Sequence, residues 1–140
     1  MGAVALSGVQ RWHTVRMPNY LLERAYEAPA PTDGARVLVD RLWPRGIKKE
    51  ALDAAWLRDA APSPELRKAW HAAPEERWED FAGLYRSELE AADAAGAGAM
   101  AEALGELRSL AVAGTVTLVF AAKDLERNHA AVLREYLLSH

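Results

Sequence analysis

Apolar and polar positions along this chain follow two periods, and two short unbroken apolar runs stand out from both. Val37, Leu38 and Val39, and the stretch Thr115 to Ala122 (TVTLVFAA), are β-branched and aliphatic runs short enough for strands covered on both faces. Tyr20 to Tyr26 (YLLERAY) reads as a first strand, EAPAPTDGA as the turn leading out of it, and Arg36 to Leu42 as the second strand. Ala51 to Ala60 is expected to form a short helix stopped by Pro62. Ser63-Pro64-Glu65 then supplies an N-cap, a proline at the first helical position and an acidic first turn, which predicts a helix to about His71. From Pro74 to Ala95, Trp78, Phe81, Ala82, Tyr85, Leu89 and Ala92 recur at helical spacing, and their aromatic stripe reads as core rather than as a cofactor box. Met100, Ala103, Leu104, Leu107, Leu110 and Ala111 repeat the pattern, with Gly114 where a helix-ending glycine belongs. His129, Val132, Leu133, Tyr136 and Leu137 stripe a last helix.

This order of elements predicts one α/β domain, a small, mainly parallel sheet flanked by helices on both faces in three layers. Residues 1–16 read as an N-terminal extension and residues 17–140 as the domain. The link between the first two strands is short enough for an antiparallel hairpin, and composition leaves the direction of the first strand open.

Composition narrows the class of protein. At 140 residues, with 51% hydrophobic and 26% charged positions, the chain suits a globular domain with a true core. It contains no cysteine, which excludes thiolate nucleophiles and disulfides and agrees with the expectation of a cytoplasmic protein. The start MGAVALSGVQRWH lacks a basic region ahead of its apolar stretch, and neither a secretory signal nor a membrane partner is expected. His13, His71, His129 and His140 show no ligand spacing, so no metal site is expected, and the residues name no cofactor. Gly96-Ala97-Gly98-Ala99-Met100-Ala101 has the letters of a dinucleotide fingerprint but follows a helix, where the fingerprint has no strand to work from.

Charge is uneven. Residues 1–49 hold eight Lys/Arg against four Asp/Glu and the remainder nine against sixteen, so a +4 segment precedes a −7 segment and the sum is −3. Arg41, Arg45, Lys48 and Lys49 cluster where the second strand ends, either as a local anion site or as a solvated loop paired with acidic helices. Ligands of open α/β sheets bind beyond the carboxyl ends of strands, and two such ends are polar here. Asp40-Arg41 closes one and Lys123-Asp124 the other, with Asn128 and His129 just beyond, so parallel neighbouring strands would join them.

Asp40 is the leading general acid/base candidate, with a structural partnership to Arg41 or a backbone amide as the alternative. His129 is a candidate for proton transfer or a packed core histidine, and Asp124 a third catalytic candidate that suits the N-cap of the last helix. Arg41, Arg45 and Lys123 suit an anion, Asn128 stands beside them, and Trp43 offers a stacking face or a lid. Strand alternation would send Asp40 and Arg41 to opposite faces.

The segments RVLVDRLWPRGIKKE, APSPELRKAW, WEDFAGLYRSEL and TLVFAAKDLERNHAAVL together resemble the family called domain of unknown function 488, in its YeaO-like branch, from about Tyr20 to Leu138. The resemblance implies a small parallel α/β sheet whose first crossover is shortened here to residues 27–35. It also implies that a Cys-x-Glu and a following Cys-His-Arg of other branches correspond to Ala122-Lys123-Asp124 and Asn128-His129-Ala130, so the histidine stays and both thiols are gone. Taken together, a small phosphorylated or nucleotide-like ligand, bound or processed, is the leading expectation. A nucleic-acid-binding or base-modifying protein, with Trp43 stacking and the four cations on phosphates, is one alternative. A non-catalytic interaction domain presenting the Trp78/Phe81/Tyr85 helix is another.

Overall fold

In a computed structural model describing residues 19–72 and 75–140, four parallel strands form one sheet in the order β1-β4-β2-β3. These are β1 (Tyr20–Arg24), β2 (Ala35–Leu38), β3 (Ala55–Trp56) and β4 (Val116–Phe120). The helices are α1 (Lys49–Leu52), α2 (Pro64–Ala72), α3 (Trp78–Ala95), α4 (Ala99–Ala113) and α5 (His129–Ser139). The proposed extension, residues 1–16, lies outside the described residues.

Every strand pair is parallel, and β4 lies between β1 and β2, with Leu22 and Val37 both opposite Leu118. The first two strands are therefore parallel without being neighbours. Their link, residues 25–34, returns down the sheet with only one short 3-10 turn, Pro31–Asp33. Roughly 16 Å along the strands and two spacings of about 4.8 Å across them lie within reach of ten extended residues, so no crossover helix is needed.

Alternation along the strands divides the interior in two. Val37, Val39, Val116, Leu118 and Phe120 face the main core beneath the longer helices, which contribute Phe81, Tyr85, Leu89, Leu104, Leu107, Leu133 and Tyr136. Leu38 and Val119 face the other way and meet Leu52 of α1, Ala25, Trp43 and Trp56. Helices thus cover both faces, giving three layers of unequal thickness.

The thinner face also buries charge. Arg36 bridges to Glu23 and to Asp33 at 2.7 Å, and its Nε and Nη2 donate to the Leu52 carbonyl at 3.2 and 3.0 Å. Burial works to raise the Asp33 carboxyl, but the donated bonds from the Ala30 amide and Arg36 outweigh it and hold the group below its usual range. A second cluster joins the helices of the thick layer. Arg108 grips Asp93 with two bonds of 2.9 Å while the Tyr136 hydroxyl donates to the same carboxylate. Arg108 chiefly holds Asp93 down to about 2, and burial followed by the carboxylate pushes Tyr136 up to about 12.

One expected helix is replaced by three elements. Ala51 to Ala60 contains the end of α1, the strand β3 and a 3-10 turn at Arg58–Ala60, because Asp53 takes a left-handed conformation (φ 49°) that ends α1 after Leu52. Ala55-Trp56 then pairs with Val37-Leu38. The helix begun at Ser63-Pro64 is present, with the Ser63 hydroxyl accepting the Leu66 amide at 3.2 Å. The glycine-rich decoy joins α3 to α4 as an inter-helix turn. Gly96 closes α3 in a left-handed conformation, its amide bonded to Ala92. No helix among the described residues is long and apolar enough to cross a membrane.

Candidate functional site

β2 and β4 end side by side, and a cleft of about 450 Å³ opens beyond them. Six of the residues expected from sequence line it: Asp40, Arg41, Trp43, Arg45, Asn128 and His129. Asp40 and Arg41 reach the same cleft because regular pairing stops at Val39, whose amide bonds Val119, and alternation no longer binds the next two residues.

Asp40 does not partner Arg41. Its Oδ2 accepts the Ala121 amide at 3.0 Å, which ties the end of β2 to the end of β4. Its Oδ1 lies 3.1 Å from His129 Nε2, but that ring nitrogen is directed at the Val39 carbonyl at 3.0 Å, so among the described residues Oδ1 has an imidazole neighbour and no hydrogen bond. The His129 ring also meets the edge of Tyr85, with centroids 6.3 Å apart. Tyr85 donates to the Ala60 carbonyl, and burial raises its phenol far above the ordinary range. Arg41 pairs instead with Asp59 at 3.0 Å and donates to the Pro62 carbonyl at 3.2 Å, leaving its buried Nε without a partner among the described residues.

Two of the expected ligand residues, Asn128 and Trp43, line the cleft and also make structural bonds. Asn128, not Asp124, caps α5: its Oδ1 accepts the Ala131 amide at 2.8 Å and its Nδ2 donates to the Asp124 carbonyl at 2.9 Å. Trp43 donates through Nε1 to the Ile47 carbonyl at 2.7 Å and packs edge-on against Trp56, which places it between the thin core and the cleft wall. Arg45 is exposed at the rim, where its carbonyl accepts the Tyr26 hydroxyl.

Lys123 and Asp124 are exposed and do not line the cleft. Asp124 closes a turn four residues ahead of the cap, accepting the amides of Arg127 and Glu126, which hold its carboxyl below the usual range. The loop from Ala121 to Arg127 is too long for the strand end and the helix start to coincide. That separation explains why the cap falls at Asn128.

The sequence reading missed Tyr26, Arg67, Trp70, His71 and Arg127, all of which line the cleft. Arg67, Trp70 and His71 carry a legible signal, since positions i, i+3 and i+4 share one face of α2 while Leu66 turns to the core. Trp70 stacks on Phe81 at 6.0 Å and meets Trp78 edge-on at 5.0 Å, so its position is fixed from behind. Among the described residues the lining thus includes four arginines and two histidines against one acid, Asp40, and Arg41 alone of the four arginines has a carboxylate partner, Asp59. No group of three or more possible metal ligands occurs among the described residues.

Phe81 and Tyr85 are buried in the main core and Trp78 packs against it, so the aromatic stripe of α3 faces inward and is not a free partner surface.

Residues 20–140 match the family described as the inactive DUF488-N3 subclade. The chain is 44% identical over 124 residues to the uncharacterised proteins Rv3073c of Mycobacterium tuberculosis and Mb3100c of Mycobacterium bovis, covering 88% of this chain and 97% of each relative. It is 39% identical over 123 residues to the uncharacterised protein YeaO of Escherichia coli, covering 86% and 98%. No solved structure matches it.

Proposed function

The chain belongs to the DUF488 family, in its inactive DUF488-N3 subclade, and from that premise we propose that it is a binding domain for a small phosphorylated or nucleotide-like ligand held in the cleft. The observation that carries this reading is the charge of the lining on a protein whose net charge is −3. Arginine presents planar donors suited to phosphate oxygens, and a concave site between walls of low dielectric strengthens their attraction. Tyr26, Trp43 and Trp70 add apolar wall for the rest of the ligand, and the volume lies in the usual range of roughly 300–1,000 Å³ for small-molecule sites. Binding is favoured over chemistry by the family's description and by a sequence without cysteine, which excludes a thiol nucleophile.

Processing of the ligand draws its support from the Asp40–His129 pair, a carboxylate and an imidazole at 3.1 Å in the same cleft. The nucleic-acid reading has less to rest on, because Lys48 and Lys49 do not line the cleft. Titration with adenosine 5′-monophosphate and with adenosine tests the proposal. The phosphorylated compound is expected to bind and to raise the unfolding temperature. Arg67→Ala and Arg127→Ala are each expected to weaken it roughly tenfold or more, the usual worth of a charge-assisted bond. Equal affinity for the two compounds, or unchanged binding in the double variant, would refute it.

A further inference from the structure

His129 is held at its inner edge and open at its outer one. A carbonyl only accepts, so the ring nitrogen 3.0 Å from Val39 O must carry the proton, and the bond fixes the Nε2–H form of the neutral ring. Nδ1 has no hydrogen bond to any described residue, on a ring that lines the cleft. In the neutral ring Nδ1 carries only a lone pair, which an oxyanion repels. In the imidazolium both nitrogens donate, and Nδ1–H becomes a charged donor to the cleft.

The surroundings divide on which form they favour. Asp40, from the end of β2, places an unbonded carboxylate oxygen 3.1 Å from Nε2 and favours the cation. Arg41 and Arg45 from the same loop, Arg67 and His71 from α2, and Arg127 just ahead of α5 share the cleft and oppose it, as does the positive end of α5. Tyr85 of α3 contributes a ring edge and stays protonated. An incoming oxyanion adds negative charge on the outer side and tips this balance.

We infer that His129 contacts the ligand's anionic group through Nδ1–H, with the Val39 carbonyl orienting the ring and Asp40 balancing its charge, so that oxyanion binding brings a proton with it. The step moves one proton from hydronium or a buffer acid to the Nδ1 lone pair: the donor's bond to that hydrogen breaks, an N–H bond forms, and no bond of the ligand changes. Asp40 is thereby a partner of the imidazolium, not a proton donor to the ligand. This inference rests on the cleft being an anion site and adds to it the contact atom and the proton.

Sulfate, which does not titrate near neutrality, is the probe, used with the full chain. Calorimetry in two buffers of different ionisation heat near pH 7 is expected to show fractional proton uptake, and affinity is expected to fall severalfold from about pH 6 to about pH 8. Long-range ¹H–¹⁵N spectra without sulfate are expected to show His129 in the Nε2–H form at high pH. His129→Gln should abolish the uptake and Asp40→Asn should diminish it while the spectra show both variants folded. His71→Asn, at the other imidazole of the cleft, should keep proton uptake even where it lowers the affinity for sulfate. Sulfate binding without proton uptake, uptake that survives His129→Gln, or uptake lost only in His71→Asn overturns the inference and leaves the anion site standing. Failure of sulfate to bind at all overturns both.

Discussion

Replacing Arg36 by methionine tests how the thin face of the sheet is held. Methionine keeps an unbranched stem in the same space, so little packing is lost, while four hydrogen bonds disappear. The Leu52 carbonyl loses both guanidinium donors, and Asp33, with a side chain only 6% exposed, is left beside Glu23 without a cation. Removing one partner of a buried ion pair costs about 3–5 kcal/mol, a large share of the roughly 5–15 kcal/mol that holds a domain together. The pH dependence carries the diagnosis. In the native chain Asp33 is depressed, so its contribution is present above its unfolded pKa and lost as pH falls through the folded value. Without Arg36, burial and repulsion raise the same group, and folding then takes up a proton. The stability gap between variant and native chain should therefore narrow as pH falls from about 7 to about 5. Asp33→Asn in the Arg36→Met background should recover part of the loss. Urea unfolding at both pH values measures all three quantities. A loss below about 1 kcal/mol that is the same at both pH values would refute the reasoning.

Two further outcomes are expected. Gly34→Ala should cost more than about 2 kcal/mol, because Gly34 has φ 65° and ψ −133° and an added Cβ would run into the Thr115 carbonyl; unfolding within about 0.5 kcal/mol of the native chain would contradict this. Asp93, held down to about 2 chiefly by Arg108, should contribute about 1–2 kcal/mol after solvent screening. That contribution is complete above about pH 4 and lost as pH falls through 2, so Asp93→Asn should flatten this part of an acid-unfolding profile, and an unchanged profile would remove the cluster from the account.

How far the site was legible follows from the kind of signal each residue leaves. Val37-Leu38-Val39 and the run ending at Phe120 announce buried strands by composition, and parallel pairing then brings Asp40, Arg41 and His129 into one cleft. The strand β3 is two residues long, too short for any period, and it follows a helix ended by a left-handed aspartate that leaves no distinctive letter. Asp124 and Asn128 are both good capping residues, and only the length of the intervening loop decides between them. Composition left the direction of β1 open because pairing depends on β4, which the first link does not reveal. Arg67 and His71 were within reach, since their spacing with Trp70 marks a face of α2 that Leu66 does not share.

The position of β4 has a consequence for how the protein comes into being. Synthesis delivers β1, β2 and β3 first, yet β1 and β2 have no contact along the sheet until residues 116–120 enter between them. Until then Val37, Leu38 and Val39 lack a partner on that side, an exposed apolar edge of the kind that invites association with other chains. The pairings that close the sheet are distant in sequence, which slows folding relative to a domain built from local contacts. The segment that completes the sheet leads directly into the loop and helix carrying Arg127, Asn128 and His129. Closure of the sheet and assembly of the cleft are therefore one event, and a nascent chain has no partial site to offer a ligand before its last strand is in place.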